Sequence, residues 1–273
     1  MNTVPYDTSV LKNKKLFIFD MDGTIYLGNS PFDFAIKFIE NLHNSDKNIL
    51  FFTNNASHTT DFYMSKLSRL GFAPRKGEIM TSGDVTIEFL KRHRAGKSVY
   101  LVGTDELVSA FKDSGINMLD GSEESADIVV TSFDTSLTYE KLDNACRFIR
   151  GGAEYLSTHP DKNCPTENGF IPDSGAIAAL VTASTDVTPT YFGKPYRETI
   201  EMISEATGFS PADMCIFGDR LMTDIALGKR FGVTSVLVLT GETKLGDIEK
   251  ADESERPDIV LDSLADADRI IFG

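Results

Sequence analysis

With 273 residues, 41% hydrophobic and 25% charged, the chain has the composition of a soluble globular protein with room for one large core or two smaller ones. Its net charge of −14 excludes nucleic-acid backbone binding as a main role, because that needs clustered Lys and Arg. A small phosphorylated ligand stays open, since a local cation overrides the global field. No apolar run approaches membrane-spanning length, so no membrane association is expected. The three cysteines, Cys146, Cys164 and Cys215, are far apart and odd in number, which fits ordinary thiols rather than a disulfide framework or a zinc site. Residues 1–15 lack the apolar stretch of a secretory signal, so the expected location is the cytoplasm, and Asn55-Ala56-Ser57 matches the glycosylation pattern by chance.

Strand-like apolar runs alternate with amphipathic stretches, which predicts an α/β architecture with parallel pairing. In chain order the pattern predicts a strand over 16–20, a helix over 32–44 with Ile36, Phe38, Ile39 and Leu42 on its apolar face, a strand over 48–53 and a helix over 59–70. Gly71 is placed to close the second helix. A middle segment follows, with strands over 98–103, 127–132 and 154–158 and helices over 106–112, 139–150 and 176–185. The last segment returns to the first style. Pro195 falls in the first turn of a helix reaching 207, followed by strands over 214–218, 235–240 and 259–261 and a helix over 222–230.

The apolar run Leu16-Phe17-Ile18-Phe19 leads straight into Asp20-Met21-Asp22-Gly23-Thr24. Open α/β sheets place their ligands at such strand ends. Residues two apart on an extended chain point the same way, and Gly23 permits a tight turn, so Asp20 and Asp22 can face one small site. Crowded carboxylates repel, and a hard divalent cation such as Mg2+ would neutralise them. An isolated D-x-D-G would read as a solvated surface turn, but three more motifs follow. These are Thr53-Asn54-Asn55 directly after Ile49-Leu50-Phe51-Phe52, Gly193-Lys194-Pro195 at a helix entrance, and Gly218-Asp219-Arg220-Leu221-Met222-Thr223-Asp224 after Cys215-Ile216-Phe217.

In this order the four motifs resemble the haloacid dehalogenase (HAD) superfamily, in particular its NagD-like, 4-nitrophenylphosphatase branch, over the whole chain. The resemblance implies a doubly wound parallel-sheet core of Rossmann type with an inserted α/β cap domain. About 30 residues separate Asp20 from Thr53 and about 140 separate Thr53 from Lys194, so only the second interval holds a domain. The expected division is core 1–82, cap 83–187 and core 188–273, the placement of a type IIA cap. The implied activity is a Mg2+-dependent phosphatase acting on a small phosphorylated metabolite: a sugar phosphate, a nucleoside monophosphate or a phosphoglycolate-like acid. A phosphomutase of the same superfamily and a non-catalytic phosphometabolite-binding protein are the alternatives.

By resemblance, Asp20 is the nucleophile that forms an aspartyl-phosphate, and Asp22 is the general acid and then the general base. Asp20, the backbone carbonyl at Asp22, Asp219 and Asp224 are the metal ligands, Asp224 acting directly, through water or by holding Lys194. Asp224 could equally cap a helix. Lys194 brings a cation to the phosphoryl oxygens, against the plain reading of an exposed lysine before a helix. Thr53, with its hydroxyl, Asn54, with its backbone amide, and Asn55 form the phosphate-binding turn, against the reading of Thr53 as a helix N-cap. Arg220 reads as structural.

Ser157-Thr158-His159-Pro160-Asp161 resembles the family's substrate-recognition loop, with His159 where many relatives carry Asn. His159 and Asp161 are candidate leaving-group contacts, although a lone loop histidine is often structural. Asp173, in Pro172-Asp173-Ser174-Gly175-Ala176, stands where relatives often carry a small residue. Residues 161–173 do not form an EF-hand, because Thr166 occupies the position that needs glycine. An exposed cap face could mediate a homodimer.

Overall fold

The computed structural model describes residues 6–166 and 169–273. Its contacts divide the chain into two compact units. One comprises Met1–Phe52, Tyr63–Met80 and Ile203–Gly273, and the other Thr53–Phe62 and Thr81–Met202. The Thr53–Phe62 segment and the stretch running to Met202 pack with the middle of the chain, so this division differs from one drawn at residues 83 and 187.

The first unit is organised by a six-stranded sheet in the order Ile259–Leu261, Thr234–Val238, Met214–Gly218, Leu16–Phe19, Asn48–Thr53, Ile79–Thr81. Leu16–Phe19 is buried at every position, as a strand covered on both faces must be. It pairs in parallel with both neighbours, Phe19 lying opposite Phe217 on one side and Phe51 on the other. The chain builds outward from this strand to one edge, then returns and builds outward in the other direction. The order therefore reverses between Leu16–Phe19 and Met214–Gly218, the place where doubly wound sheets open a crevice at their carboxyl ends.

Helix Asp33–His43 buries Ala35, Phe38, Ile39 and Leu42, spaced three and four apart on the face that meets the sheet core. Phe19 stacks on Phe217 with ring centroids 5.1 Å apart and meets Phe38 edge-on at 5.9 Å. This aromatic layer lies directly beneath the strand ends that carry Asp20 and Asp219. Gly71 closes helix Thr60–Arg69 with φ +90°, as predicted.

The second unit holds a parallel five-stranded sheet in the order Thr190–Tyr191, Glu154–Ser157, Ile128–Thr131, Ser98–Val102, Asn117–Met118. Tyr100, Val102, Val129, Phe148, Ile149, Tyr155, Ile177 and Val181 fill its core between the sheet and helices Tyr139–Arg150 and Ser174–Thr185. An antiparallel pair, Asn163–Thr166 with Gly169–Pro172, precedes the second of these helices. Among the described residues, no helix is long and apolar enough to cross a membrane.

Several elements differ from the sequence pattern. The helix expected over 222–230 is a π-helical turn, Leu221–Ile225, running into helix Ala226–Phe231. Pro195 stands before its helix, which begins at Arg197 after a turn closed by the Tyr196 N–H on the Gly193 carbonyl at 2.9 Å. Strands Tyr26–Leu27, Ser30–Pro31, Ile79–Thr81 and Asn117–Met118 are too short to show a period. Helices Ser82–His93 and Leu264–Phe272 are announced by capping boxes, Thr81 with Asp84 and Ser263 with Asp266, rather than by apolar spacing alone.

Truncating Phe217 to Ala removes the ring shared by Phe17, Phe19 and Phe38. The expected loss is about 3–5 kcal/mol of unfolding free energy, read from urea denaturation. A loss below about 1 kcal/mol would show that this layer does not anchor the sheet.

Candidate active site

Asp20 leaves the sheet with its N–H still donating to the Phe217 carbonyl at 2.9 Å, which ties its position to the neighbouring strand. The turn that follows is closed by backbone bonds: Gly23 N–H to the Tyr26 carbonyl at 2.7 Å and Ile25 N–H to the Met21 carbonyl at 3.0 Å. Gly23 has φ +85°, and a Cβ there would stand 2.4 Å from Asp219 Oδ2. Both facts require glycine at this position. Asp22 is exposed, its Oδ1 3.5 Å from the Gly28 N–H.

Asp219 follows Met214–Gly218 on the adjacent strand, and Asp224 lies on the π-helical turn beyond it. Both are buried, Asp219 at 3% exposure and Asp224 at 0%. Gly218 admits Asp224, whose Cβ would be 2.2 Å from a Cβ at position 218. One oxygen from each of Asp20, Asp219 and Asp224 lies within 4.8 Å of the others. The side chain of Asp22 is outside that group.

A loop after Thr234–Val238 completes the enclosure. Thr240 Oγ1 donates to the Gly23 carbonyl at 2.6 Å, Glu242 N–H donates to Asp219 Oδ2 at 2.7 Å, and Gly241 passes so close to Asp219 that a Cβ would lie 2.0 Å from the carboxylate. Arg220 pairs with Glu242 at 3.0 Å. Burial opposes the Arg220 charge, but Asp20, Glu242, Asp219 and Asp224 outweigh it and hold the guanidinium above its usual range. Burial, reinforced by Tyr63, Asp22 and Asp20, pushes the Tyr26 phenol well up, so Tyr26 stays neutral beside the acids. Residues 240–243 and the electrostatic part played by Arg220 were not legible in the sequence. The clue was Thr240-Gly241-Glu242 at a strand end, the same kind of position as the other motifs.

Three carboxylates this close repel strongly, and water does little to screen the two that are buried. The donor set is all oxygen, from three carboxyl groups, which suits a hard divalent cation of the Mg2+ kind. The residues present therefore fit the metal that the motifs imply.

The remaining candidates lie in the second unit. Thr53 Oγ1 accepts the Asn55 N–H at 3.2 Å, and Asn55 Oδ1 accepts the Ser57 N–H at 2.9 Å. The next helix begins at Thr60, with Thr59 N–H on Glu106 Oε1 at 2.8 Å, so Thr53 is a turn residue and not that helix's cap. Lys194 is 2% exposed, which sets aside the reading of a surface lysine. Its backbone N–H and carbonyl both bond the Asn54 side chain, at 2.7 and 2.9 Å.

His159 is fully buried. Its Nε2 meets Asp173 Oδ1 at 2.8 Å, and its Nδ1 lies 3.0 Å from Thr158 Oγ1 and 3.3 Å from Ser82 Oγ. His159 and Asp173, which the sequence singles out separately, are therefore bonded to each other. Asp173 also caps the helix beginning at Ser174, accepting its N–H at 2.6 Å. Asp161 is half-buried and accepts from Asn54 Nδ2 at 3.2 Å.

A family model described as "Haloacid dehalogenase-like hydrolase" matches residues 17–117, and a second, HAD-hydrolase-like model matches residues 191–267. An "Acid sugar phosphatase" of Staphylococcus saprophyticus is 36% identical over 240 residues, 88% of this chain and 92% of that protein. The crystal structure of a 4-nitrophenylphosphatase from Thermotoga maritima superposes with a TM-score of 0.89 at 40% identity, covering 96% of this chain and 99% of that one. A glycerol phosphate phosphatase from Mycobacterium tuberculosis, solved in complex with magnesium, gives a TM-score of 0.86 at 28% identity and covers 96% of this chain and 77% of that one. Fold, strand-end acids and relatives agree, and the chain belongs to the haloacid dehalogenase-like hydrolase family, in the company of its NagD-like phosphatases.

Proposed function

We propose that this chain is a Mg2+-dependent phosphomonoesterase that hydrolyses small phosphorylated metabolites through an aspartyl-phosphate on Asp20. The observation that carries the reading is the convergence of Asp20, Asp219 and Asp224 within 4.8 Å at the switch point of a parallel sheet. Relatives named as sugar, nitrophenyl and glycerol phosphate phosphatases support the substrate class.

Asp20, Asp219 and Asp224, with the backbone carbonyl of Asp22, would hold Mg2+. When bound, the ion offsets the charge that keeps a carboxylate away from a phosphate monoester. Phosphate-monoester hydrolysis is among the slowest uncatalysed reactions, so such offsetting matters.

The steps on the protein's own groups are these. An Asp20 oxygen forms a bond to phosphorus as the bond from phosphorus to the ester oxygen breaks, and Asp22 gives that oxygen a proton. Asp22 then takes a proton from water as the water attacks phosphorus, releasing inorganic phosphate and restoring Asp20. The exposure of Asp22 suits a group that must reach both the leaving oxygen and water. The Thr53 hydroxyl, the Asn54 backbone amide and the turn at Asn55 are proposed to bind phosphoryl oxygens, and the Lys194 ammonium to offset their charge.

Residues 83–187 are proposed to act as the cap that shapes the leaving-group pocket. There Asp161 is the candidate for direct contact. Both ring nitrogens of His159 already have protein partners, so His159 is assigned the role of holding the loop that presents Asp161.

A screen of metabolite phosphoesters, with and without Mg2+, tests the proposal. Phosphate release that requires the metal is expected, and Asp20→Asn should abolish it. Retained turnover in Asp20→Asn would remove Asp20 from the nucleophile role. Asp22→Asn should slow turnover by about 10²–10⁴-fold, the usual worth of a general acid. Mg2+ affinity measured by calorimetry should stay nearly unchanged, because only the Asp22 backbone is assigned to the metal; a large loss of affinity would contradict that assignment. Replacing His159 with Asn should reorder the preference among natural phosphoesters more than it changes turnover of 4-nitrophenyl phosphate. An unaltered ranking would leave His159 with no part in specificity.

A further inference from the structure

We infer that the Asn54 side chain is the positioning residue for Lys194, a role separate from phosphate binding by the Asn54 backbone. The inference rests on the phosphatase reading above. Asn54 Oδ1 accepts the Lys194 N–H at 2.7 Å, and Asn54 Nδ2 donates to the Lys194 carbonyl at 2.9 Å. The same Nδ2 donates its other proton to Asp161 Oδ2 at 3.2 Å. The carbonyl oxygen and both amide protons of the carboxamide are thus engaged, each facing its complement.

That pattern fixes which end is oxygen. Turned over, the amide would set N–H against N–H at one end, and oxygen against a carbonyl and a carboxylate at the other. Only an uncharged group with both a donor and an acceptor serves here. Two bonds to the N–H and carbonyl of a single residue fix its backbone both in place and in orientation. The ammonium stands at the end of a flexible four-carbon stem, so fixing the base of that stem narrows where it can reach.

The surroundings are built for the contact. Asn54 is 7% exposed and Lys194 is 2% exposed. Ser82 Oγ holds the Asn54 carbonyl at 2.5 Å. Gly193, at φ +73°, lets the preceding chain pass, since a Cβ there would lie 2.8 Å from Asn54 Oδ1 and 2.8 Å from the His159 Cβ. Through Asp161 the same amide also touches the loop assigned to leaving-group recognition. One side chain therefore links the phosphoryl-binding turn, the lysine and the cap loop, all within the second unit.

Asn54→Asp tests this, because it keeps the shape and the acceptor but sets a carboxylate oxygen against the Lys194 carbonyl and Asp161. Inorganic phosphate binding in the presence of Mg2+ is measured by phosphorus NMR, which reads millimolar affinities, in wild type, Asn54→Asp, Lys194→Ala and the double variant. Asn54→Asp should weaken binding about tenfold in the wild-type background and less than about twofold with Lys194 absent, the non-additivity of a residue acting through its partner. On 4-nitrophenyl phosphate, kcat should fall by about 10²-fold, as misplacement of a catalytic group can cost, with a smaller change in KM. Equal losses of phosphate affinity in both backgrounds would overturn the inference while leaving the phosphatase reading intact. A wild-type protein that neither binds phosphate nor hydrolyses any ester would defeat that reading and the inference with it. Thermal melting checks that each variant is folded, and Asn54→Ser carries the same comparison should Asn54→Asp fail to fold.

Discussion

The constraint on which the rest depends is the repulsion among Asp20, Asp219 and Asp224. Three acids with oxygens within 4.8 Å, two of them buried, are costly unless a positive charge resides with them. The fold maintains that proximity by geometry that is hard to relax. Asp20 and Asp219 end adjacent strands whose register is set by parallel pairing, and the stacked rings of Phe19 and Phe217 lie just below. Gly23, Gly218 and Gly241 each leave the space of a missing Cβ to a carboxylate. The surrounding chain is shaped around the acids, and the Arg220 guanidinium lies in their field.

A second layer of organisation lies in Thr53–Phe62 and Thr81–Met202. Several of its polar groups are joined through buried hydrogen bonds. Asp173, His159, Ser82, Asn54 and the Lys194 backbone form a continuous series of contacts. Buried networks of this kind tend to specify one arrangement, because each partner lost leaves another unsatisfied.

The parallel sheet was legible in the sequence because Leu16–Phe19, Asn48–Thr53 and Met214–Gly218 are apolar runs that end in polar motifs. The acidic centre was legible for the same reason: strand ends are where such sheets place ligands. Thr240 to Thr243 was missed because its part in the site comes from one small hydroxyl, a backbone N–H and a missing Cβ, which carry little signal in residue types. Strands of two or three residues, such as Thr190–Tyr191, leave no period to read. The π-helical turn at Leu221–Ile225 looked like ordinary helix, since the pattern does not report how the backbone widens to bring Asp224 inward. His159 and Asp173 stand out separately in the sequence, and their bond to each other is a product of the fold.

The most direct measurement is a crystal structure grown with Mn2+ as an anomalous stand-in for Mg2+. The account requires one strong peak bounded by Asp20, Asp219 and Asp224, with carboxylate oxygens at about 2.0–2.2 Å, close to the octahedral spacing that Mg2+ demands. An empty acidic centre, or a metal seated instead among His159, Asp161 and Asp173, whose ligand atoms also lie within 4.8 Å of one another, would contradict it.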